Sequence, residues 1–419
     1  MLTKEQNEAL TKVGPGTPMG ELLRRYWVPV AITGELEEWP TKKVRIYGED
    51  LAVWKGPDGK YGMVQEKCPH RHASLAYGIC EPDGLRCPYH GWKFDFDGQC
   101  IEQPAEPEKS QFKNRIKVKA YPVQELGGLL WGYLGPDPVP ELPRWDVLVE
   151  DGVRDIGYAD IPSNYIQIME NSVDPHHVEW MHGYYFEFLG NTAGFEAPKA
   201  FQRKHVKVAF DEFEYGIIKR RLLEGQEESA DDWAVGHPLV FPYIMRVGGG
   251  GIDQLQIRVP FDDTTSRFML YTLHHPEGMT EYPEQKPEDI PHYEMEWMDE
   301  NGKYVVDYIE GQDIMAFATQ GAVTDRTQEH IGKSDIGVVM LRRMYRENMN
   351  LVAEGKDPIG IVREPHEVIE LPCEKDKFGA GSDFALAWID QGFSRYSPQR
   401  DALRELHVRA EESRAKAGA

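Results

Sequence analysis

Two short loops constrain this chain more than anything else in it. The first reads Cys68-Pro69-His70-Arg71-His72 and the second Cys87-Pro88-Tyr89-His90-Gly91-Trp92, with sixteen residues between His70 and Cys87. Each loop offers one thiol and one imidazole, and each is stiffened by a proline directly after its cysteine. Two thiolates and two imidazoles are the donor set of a [2Fe–2S] cluster with unlike irons, the cysteines holding one and the histidines the other. Structural zinc uses the same donors and is the alternative. Zinc sites, however, more often pair Cys with Cys and His with His at short spacing.

A unit of this kind needs short antiparallel strands with the donors on the loops between them, and the flanking sequence supplies them. Alternation predicts strands over 44–47, 51–54 and 62–64 before the loops, then over 92–96, 116–120 and 129–134 after them. Upstream, Thr17-Pro18 predicts the capped start of a short helix running towards Trp27. Lys113, Arg115, Lys117 and Lys119 alternate with Phe112, Asn114, Ile116 and Val118, which predicts a strand with one basic face. Such a face can protect an edge strand or dock an acidic electron donor or subunit. The run Gly135-Pro136-Asp137-Pro138-Val139-Pro140 reads as an exit linker.

At 419 residues the chain is too long for that unit alone. Beyond Pro143 a helical stretch (163–182) precedes strand patterns at 206–210, 213–223, 243–247, 255–259 and 268–274, with Gly248 to Gly251 as a hairpin turn. Residues 276–301 read as a long surface loop, and helices are expected over 303–320, 335–354 and 398–415. The class is α+β. A net charge of −23 disfavours nucleic acid and anionic membranes as partners, and no apolar run has the length of a membrane span. Five cysteines, an odd number, argue against a disulfide scaffold, so Cys80, Cys100 and Cys373 are expected to be plain thiols. With no signal pattern in Met1 to Gln6, a cytoplasmic location is expected.

A second centre is written in Glu170-Asn171-Ser172-Val173-Asp174-Pro175-His176-His177-Val178-Glu179-Trp180-Met181-His182. Asp174 can cap a helix that starts at Pro175, which puts His177 in its first turn. On a straight helix His177 and His182, five apart, would point roughly 140° away from each other. For both to reach one metal, the helix must bulge or end at His182. Two histidines, a carboxylate and open positions make the facial triad of non-haem Fe(II) oxygenases. His176 is expected to bond or face solvent rather than bind metal.

The two cysteine-histidine loops resemble those of the Rieske domain of ring-hydroxylating oxygenases. Ala73 and Tyr89 stand where respiratory Rieske proteins carry an additional cysteine pair. Asn171, Asp174, His177 and His182 match the Asn-x2-Asp-x2-His-x4-His pattern of the same family, and Tyr26 to Val30, Gln312 to Gly321 and Asp325 to Asp335 are also similar to it. The resemblance is to the phthalate-dioxygenase-like branch, whose oxygenase components consist of α subunits only.

This resemblance implies an antiparallel β Rieske [2Fe–2S] domain (41–140) followed by a helix-grip, START-like antiparallel-sheet catalytic domain with mononuclear iron (141–419). Residues 1–40 would be a helical segment packed on the catalytic domain. It implies cluster ligands Cys68, His70, Cys87 and His90, and iron ligands His177, His182 and Asp313, with Asp307 and Asp325 as other options for the carboxylate. Asp174 would bridge a cluster histidine and His177 between subunits of a homotrimer or of stacked trimers. Electrons would come from NAD(P)H through a separate flavin or ferredoxin-type reductase, since no Gly-x-Gly-x2-Gly follows a strand here. O2 and an aromatic, carboxylated substrate would meet at the iron, for hydroxylation or, alternatively, for monooxygenation or O- or N-demethylation. Trp180, Tyr184, Tyr185, Phe186 and Phe188 supply aromatic surface near that iron, and Arg203 and Arg246 are the candidates for the substrate carboxylate. The reading from another class is an electron carrier, or a zinc-stabilised binding protein, without oxygenase activity.

Overall fold

Between Thr41 and Tyr121 the alternating sequence closes into two small antiparallel sheets in a computed structural model that describes residues 1–417 apart from 198 and 280. One sheet sets Thr41–Ile46, Glu49–Lys55, Tyr61–Gln65 and Ala120–Tyr121 side by side. The other runs Ile79–Glu81, Gly84–Arg86, Lys93–Phe94 and Cys100–Glu102. Trp54, Val64, Leu75, Leu85 and Phe94 form a satellite core between them, and Cys68 and Cys87 are part of that core. The two thiols are thereby shielded from water by the residues that make the sheets.

Thr17 caps the helix Pro18–Leu23, its hydroxyl accepting from the Gly20 amide at 3.1 Å. The strand Val28–Ile32 follows and pairs with Leu129–Gly132, which in turn pairs with Val123–Leu126. Leu22 and Trp131 from this region share one large core with Tyr165, Ile257 and Tyr345. The N-terminal segment is thus tied both to the end of the cluster unit and to the larger sheet.

That larger sheet has eight strands. In spatial order they are His205–Phe213, Gly216–Leu223, His237–Val240, Ile244–Gly249, Ile252–Pro260, Ser266–His274, Val153–Ile161 and His292–Glu294. All neighbours are antiparallel except the last pair. The helix Tyr165–Val173 lies against Ile252–Pro260, and the helix Ile309–Thr319 lies against Tyr165–Val173. Both metal-site helices therefore sit on one face of the sheet. No helix among the described residues is long and apolar enough to cross a membrane.

Several elements depart from the sequence reading. Val153–Ile161, next to the edge of the large sheet, has no predicted counterpart, and the expected loop over 276–301 contains a strand, His292–Glu294, that pairs with it. A further helix, Asp383–Gln391, was not expected from the pattern. The basic strand forms only in part: Phe112–Arg115 is a 3-10 turn whose Lys113 carbonyl accepts from the Gln99 side-chain amide (3.0 Å), whereas residues 116–119 stay extended, the Cys100 amide donating to the Ile116 carbonyl (3.0 Å) and the Val118 amide to that of Gly98 (2.9 Å). Lys113 turns back to the Ile101 carbonyl, and Lys119 lies over the Tyr121 ring beside Glu49, so the four charges share no face.

Candidate functional site

The two cysteine-histidine loops are copies of one another. The Cys68 amide donates to the Ala73 carbonyl at 2.9 Å, as the Cys87 amide does to that of Trp92 at 2.8 Å. The His72 amide returns to the Cys68 carbonyl (2.9 Å) just as the Gly91 amide returns to that of Cys87 (3.0 Å). The fifth residue of each loop is left-handed, His72 at φ +61° and Gly91 at φ +76°. A Cβ at Gly91 would stand 3.0 Å from Pro104 Cγ, so the second loop needs glycine for space as well as for conformation.

Both cysteines are buried. The imidazoles of His70 and His90 lie at the other end, towards the surface, with ring centroids 4.5 Å apart and planes at 70°. His70 is held by stacking on Trp92 at 4.4 Å and 7°. Sulfur donors inside and nitrogen donors outside suit a two-iron cluster with one iron of each kind, and the mixed loops fit zinc less well.

The second constellation depends on a break in helix geometry. After Tyr165–Val173, Asp174 stops the helix and its carboxylate accepts from the amides of His176 (2.8 Å) and His177 (3.2 Å). The chain then restarts as a π-helix, Val178–Tyr185, with His177 as its N-cap. Bonding from i to i+5 widens the turn, so residues five apart come near the same face. His177 and His182 consequently sit 5.4 Å apart between ring centroids, which a straight α-helix would forbid.

Asp313, on the helix Ile309–Thr319, completes the group. Its Oδ1 lies 3.3 Å from His182 Nε2 and 3.8 Å from His177 Nε2, and it accepts from Asn171 Nδ2 at 3.3 Å. One donor atom from each of the three residues falls within 4.8 Å of the others, a spacing a single ion can span. Asp307 is taken up by Arg395, and Asp325 by Thr327. Neither joins the group.

Two neighbours orient the donors. Gln312 is fully buried; its Nε2 donates to the Val306 carbonyl (3.0 Å), which leaves Oε1 facing His182 Nδ1 at 2.9 Å. That bond puts the proton of His182 on Nδ1 and turns the free lone pair of Nε2 towards Asp313. Asp174 Oδ2 lies 3.7 Å from His177 Nδ1. Burial raises the Asp174 carboxyl, but the His177 side chain and the His176 amide outweigh it and hold it at about 2.

The three donors form part of the wall of a cavity of ≈ 580 Å³. Val178, Phe201, Val247, Phe268, Phe317 and Trp388 give it apolar surface. Lys219, Arg221, Arg258 and Lys377 bring cationic side chains, all nearly fully buried. Glu310 lines it too; burial pushes its carboxyl up to about 8, and both of its oxygens lack a hydrogen-bond partner.

Neither of the two arginines expected at the substrate lines this cavity. Arg246 lies between Met245 and Val247, which face the cavity, so the period of two puts it on the reverse of the sheet with Asp253 (2.6 Å) and Asp146 (3.4 Å). Arg203 precedes the strand His205–Phe213 and donates to the carbonyls of Glu224 and Phe378. Lys219, Arg221 and Arg258 went unnoticed because their strands are buried on both faces, so alternation does not reveal which side a charge takes. Trp180, Tyr184 and Phe188 are exposed rather than cavity-lining.

Comparison with known proteins follows the same outline. A family model described as Rieske [2Fe-2S] domain matches residues 26–122, and one described as LigXa C-terminal domain like matches residues 293–372. The 5,5'-dehydrodivanillate O-demethylase oxygenase subunit of Sphingobium sp. (strain NBRC 103272 / SYK-6) is 41% identical over 379 residues, covering 89% of this chain and 87% of that one. The phthalate 4,5-dioxygenase oxygenase subunit of Pseudomonas putida is 31% identical over 397 residues, 86% of this chain and 89% of that one. Among solved structures, Pseudomonas putida CBB5 NdmA superposes with a TM-score of 0.59 at 20% identity, covering 83% of this chain and 98% of that one.

Proposed function

The chain belongs to the Rieske non-haem iron oxygenases, as an oxygenase component that uses a [2Fe–2S] cluster and a mononuclear iron, and on that premise we propose how its residues divide the work. Cys68, His70, Cys87 and His90 hold the cluster; His177, His182 and Asp313 hold the iron. The observation that carries this is the meeting of three donors within 4.8 Å in the wall of a ≈ 580 Å³ cavity, made possible by the π-helix at Val178–Tyr185. When bound, the cluster supplies single electrons and the iron a place where O2 is reduced beside the substrate. The reading of a carrier without an oxygenase centre is set aside, since the relatives aligned over most of the chain are oxygenase subunits. The chain divides on this reading into residues 1–40, 41–140 and 141–419.

The residues then have distinct tasks. Gln312 fixes the tautomer of His182. Asp174 stays ionised, steadies His177 through Nδ1, and keeps part of its carboxylate at the surface for a cluster histidine of a neighbouring subunit. Exposed aromatic patches support such a contact: Tyr77, Tyr89 and Phe112 lie in and around the loops, and Trp180, Tyr184 and Phe188 on and beside the π-helix. Different patches meeting head to tail close into a ring, which fits a trimer or stacked trimers. The cavity's apolar walls exclude water and take an aromatic substrate.

An electron-transfer partner delivers the electrons, and a flavin or ferredoxin-type reductase fits that role; related folds have been solved as oxygenase–ferredoxin complexes. The relative at 41% identity, named an O-demethylase subunit, favours O-demethylation as the second reading beside ring hydroxylation. The test is metal analysis with visible absorption, then reductase-dependent O2 uptake with product identification. About three irons per chain and coupled O2 uptake are expected. Zinc, or two irons with no O2 uptake, would overturn the assignment.

A further inference from the structure

The cations in the cavity wall are answered by carboxylates at unequal range. Arg221 faces Asp232 (3.2 Å) and Glu374 (3.5 Å), and Lys377 pairs with Glu374. Lys219 and Arg258, each 2% exposed, have no carboxylate within 4.0 Å among the described residues. The carboxylates that favour their charges from further off belong to the iron site itself, Asp174 acting on Lys219 and Asp313 on Arg258. Glu310, pushed up to about 8 by burial, adds little charge to this balance at neutral pH.

At hydrogen-bond range Lys219 and Arg258 meet on one residue. Lys219 Nζ donates to the Ser172 carbonyl at 2.7 Å, and an Arg258 terminal nitrogen donates to Ser172 Oγ at 2.7 Å. They come from Gly216–Leu223 and Ile252–Pro260, strands three places apart in the sheet, so Ser172 is gripped from two sides. The Ser172 hydroxyl spends its one proton on the Ile168 carbonyl (2.7 Å). Arg258 is itself held firmly. Gln254 Nε2 donates to Thr272 Oγ1 (3.0 Å), Gln256 Nε2 to Gln254 Oε1 (2.7 Å), and Arg258 to Gln256 Oε1 (2.9 Å), each amide orientation fixing the next.

Ser172 stands between the two residues that bring its helix to the iron site. Asn171 donates to Asp313 (3.3 Å), and Asp174 ends the helix, accepts from the His176 and His177 amides and faces His177 Nδ1. The Ser172 carbonyl lies in the last turn, where carbonyls lack intrahelical partners, and any neutral donor would satisfy it. Burying two cations there is a poor way to stabilise a fold, because their desolvation costs more than the hydrogen bonds return. It is an accurate way to hold one residue in place.

We propose that Lys219 and Arg258 are positioning residues for the iron site. By clamping Ser172 from two strands they fix the end of its helix, and with it the reach of Asn171 to Asp313 and of Asp174 to His177. This rests on the reading of His177, His182 and Asp313 as iron ligands.

Iron affinity, measured by competition with a chelator on folded protein with a full cluster absorption, tests the clamp in Lys219→Met, Arg258→Met and Ser172→Ala. Removing a positive charge beside a metal site would by itself tighten iron binding, and a merely structural role would leave the affinity of the folded protein unchanged. The clamp predicts the opposite: each variant binds iron about 10–100-fold more weakly. With the cluster oxidised, the electron paramagnetic resonance spectrum of the ferrous protein with nitric oxide should also change shape. Ser172→Ala combined with Arg258→Met should lose no more than the worse of the two, since both break one contact. Iron binding unchanged or tightened in either cation variant, unchanged in Ser172→Ala, or weakened additively in the double variant would overturn the proposal. Where a cation variant does not fold, Ser172→Ala carries the test, because it removes one oxygen and no charge. Iron per chain in the unmodified protein reports separately on the ligand reading, which fails if no iron is held there.

Discussion

Gln312 Oε1 lies 2.9 Å from His182 Nδ1, and because the Gln312 amide nitrogen is committed to the Val306 carbonyl, the oxygen has no other orientation to adopt. The residue next to Asp313 therefore sets which nitrogen of His182 is free. Gln312→Leu keeps the bulk but frees the imidazole to turn or change tautomer. Iron affinity should fall by about 10–100-fold with the cluster absorption unchanged. Iron content after dialysis against a chelator measures this; full retention would mean that packing of the π-helix alone orients His182.

Asp174 both caps the restart of the helix and faces His177 Nδ1 at 3.7 Å. Asp174→Asn retains an oxygen for the amides, so the fold should lose only about 1 kcal/mol. Both metals should remain bound, whereas turnover should drop by about 100-fold, since the neutral amide neither supports the basicity of His177 nor attracts a facing imidazole. Normal O2 uptake by a metal-replete Asp174→Asn protein would sink the bridging role.

Much of this architecture could be read from the chain because its signals are local. The two donor loops differ from everything around them, and the five-residue spacing of His177 and His182 already required a break in an α-helix, which the π-helix supplies. Asp313 was reached through family resemblance, since nothing in its own neighbourhood marks it as a ligand. The charged lining was beyond reach for a physical reason: Lys219, Arg221 and Arg258 sit in strands covered on both sides, so hydrophobic alternation is lost and Arg246, one position out of phase with the cavity, looks equally suitable. The strand expected over 112–119 is cut short at its start, where Phe112–Arg115 turns as a 3-10 helix beside the Gln99 side chain, a partner distant in sequence from the pattern it interrupts.

The matched loops allow a controlled comparison. Gly91 and His72 occupy equivalent left-handed positions, but a methyl group added at Gly91 would meet Pro104 Cγ at 3.0 Å. Gly91→Ala should cost about 1–2 kcal/mol and lower the cluster absorption per chain, as the loop that presents Cys87 and His90 shifts. His72→Gly should leave that absorption intact, because it relieves a strained φ and removes no contact that the loop's hydrogen bonds need. A loss in His72→Gly as large as that in Gly91→Ala would show that crowding against Pro104 is not what sets the second loop apart.

Acid should loosen the C-terminal helix first. His407, on Arg400–Ala417, meets His274 of the central sheet with His274 Nδ1 3.2 Å from His407 Nε2, and both are buried. Burial, then His275 and Arg414, lowers His407 from 6.5 to about 4, and burial lowers His274 further. Between those values the unfolded chain binds more protons than the folded one, so the contribution of His407 is complete above pH 6.5 and is lost as pH falls towards 4. At pH 5 the loss from His407 alone amounts to about 2 kcal/mol. His407→Gln keeps a hydrogen-bonding group without a titrating one, so the decline in the free energy of unfolding by urea between pH 7.5 and pH 5 should shrink by that amount relative to the unmodified protein. His205, which burial lowers to about 3, titrates in both proteins and cancels from the difference. An unchanged decline would place the acid-sensitive contact elsewhere than under this helix.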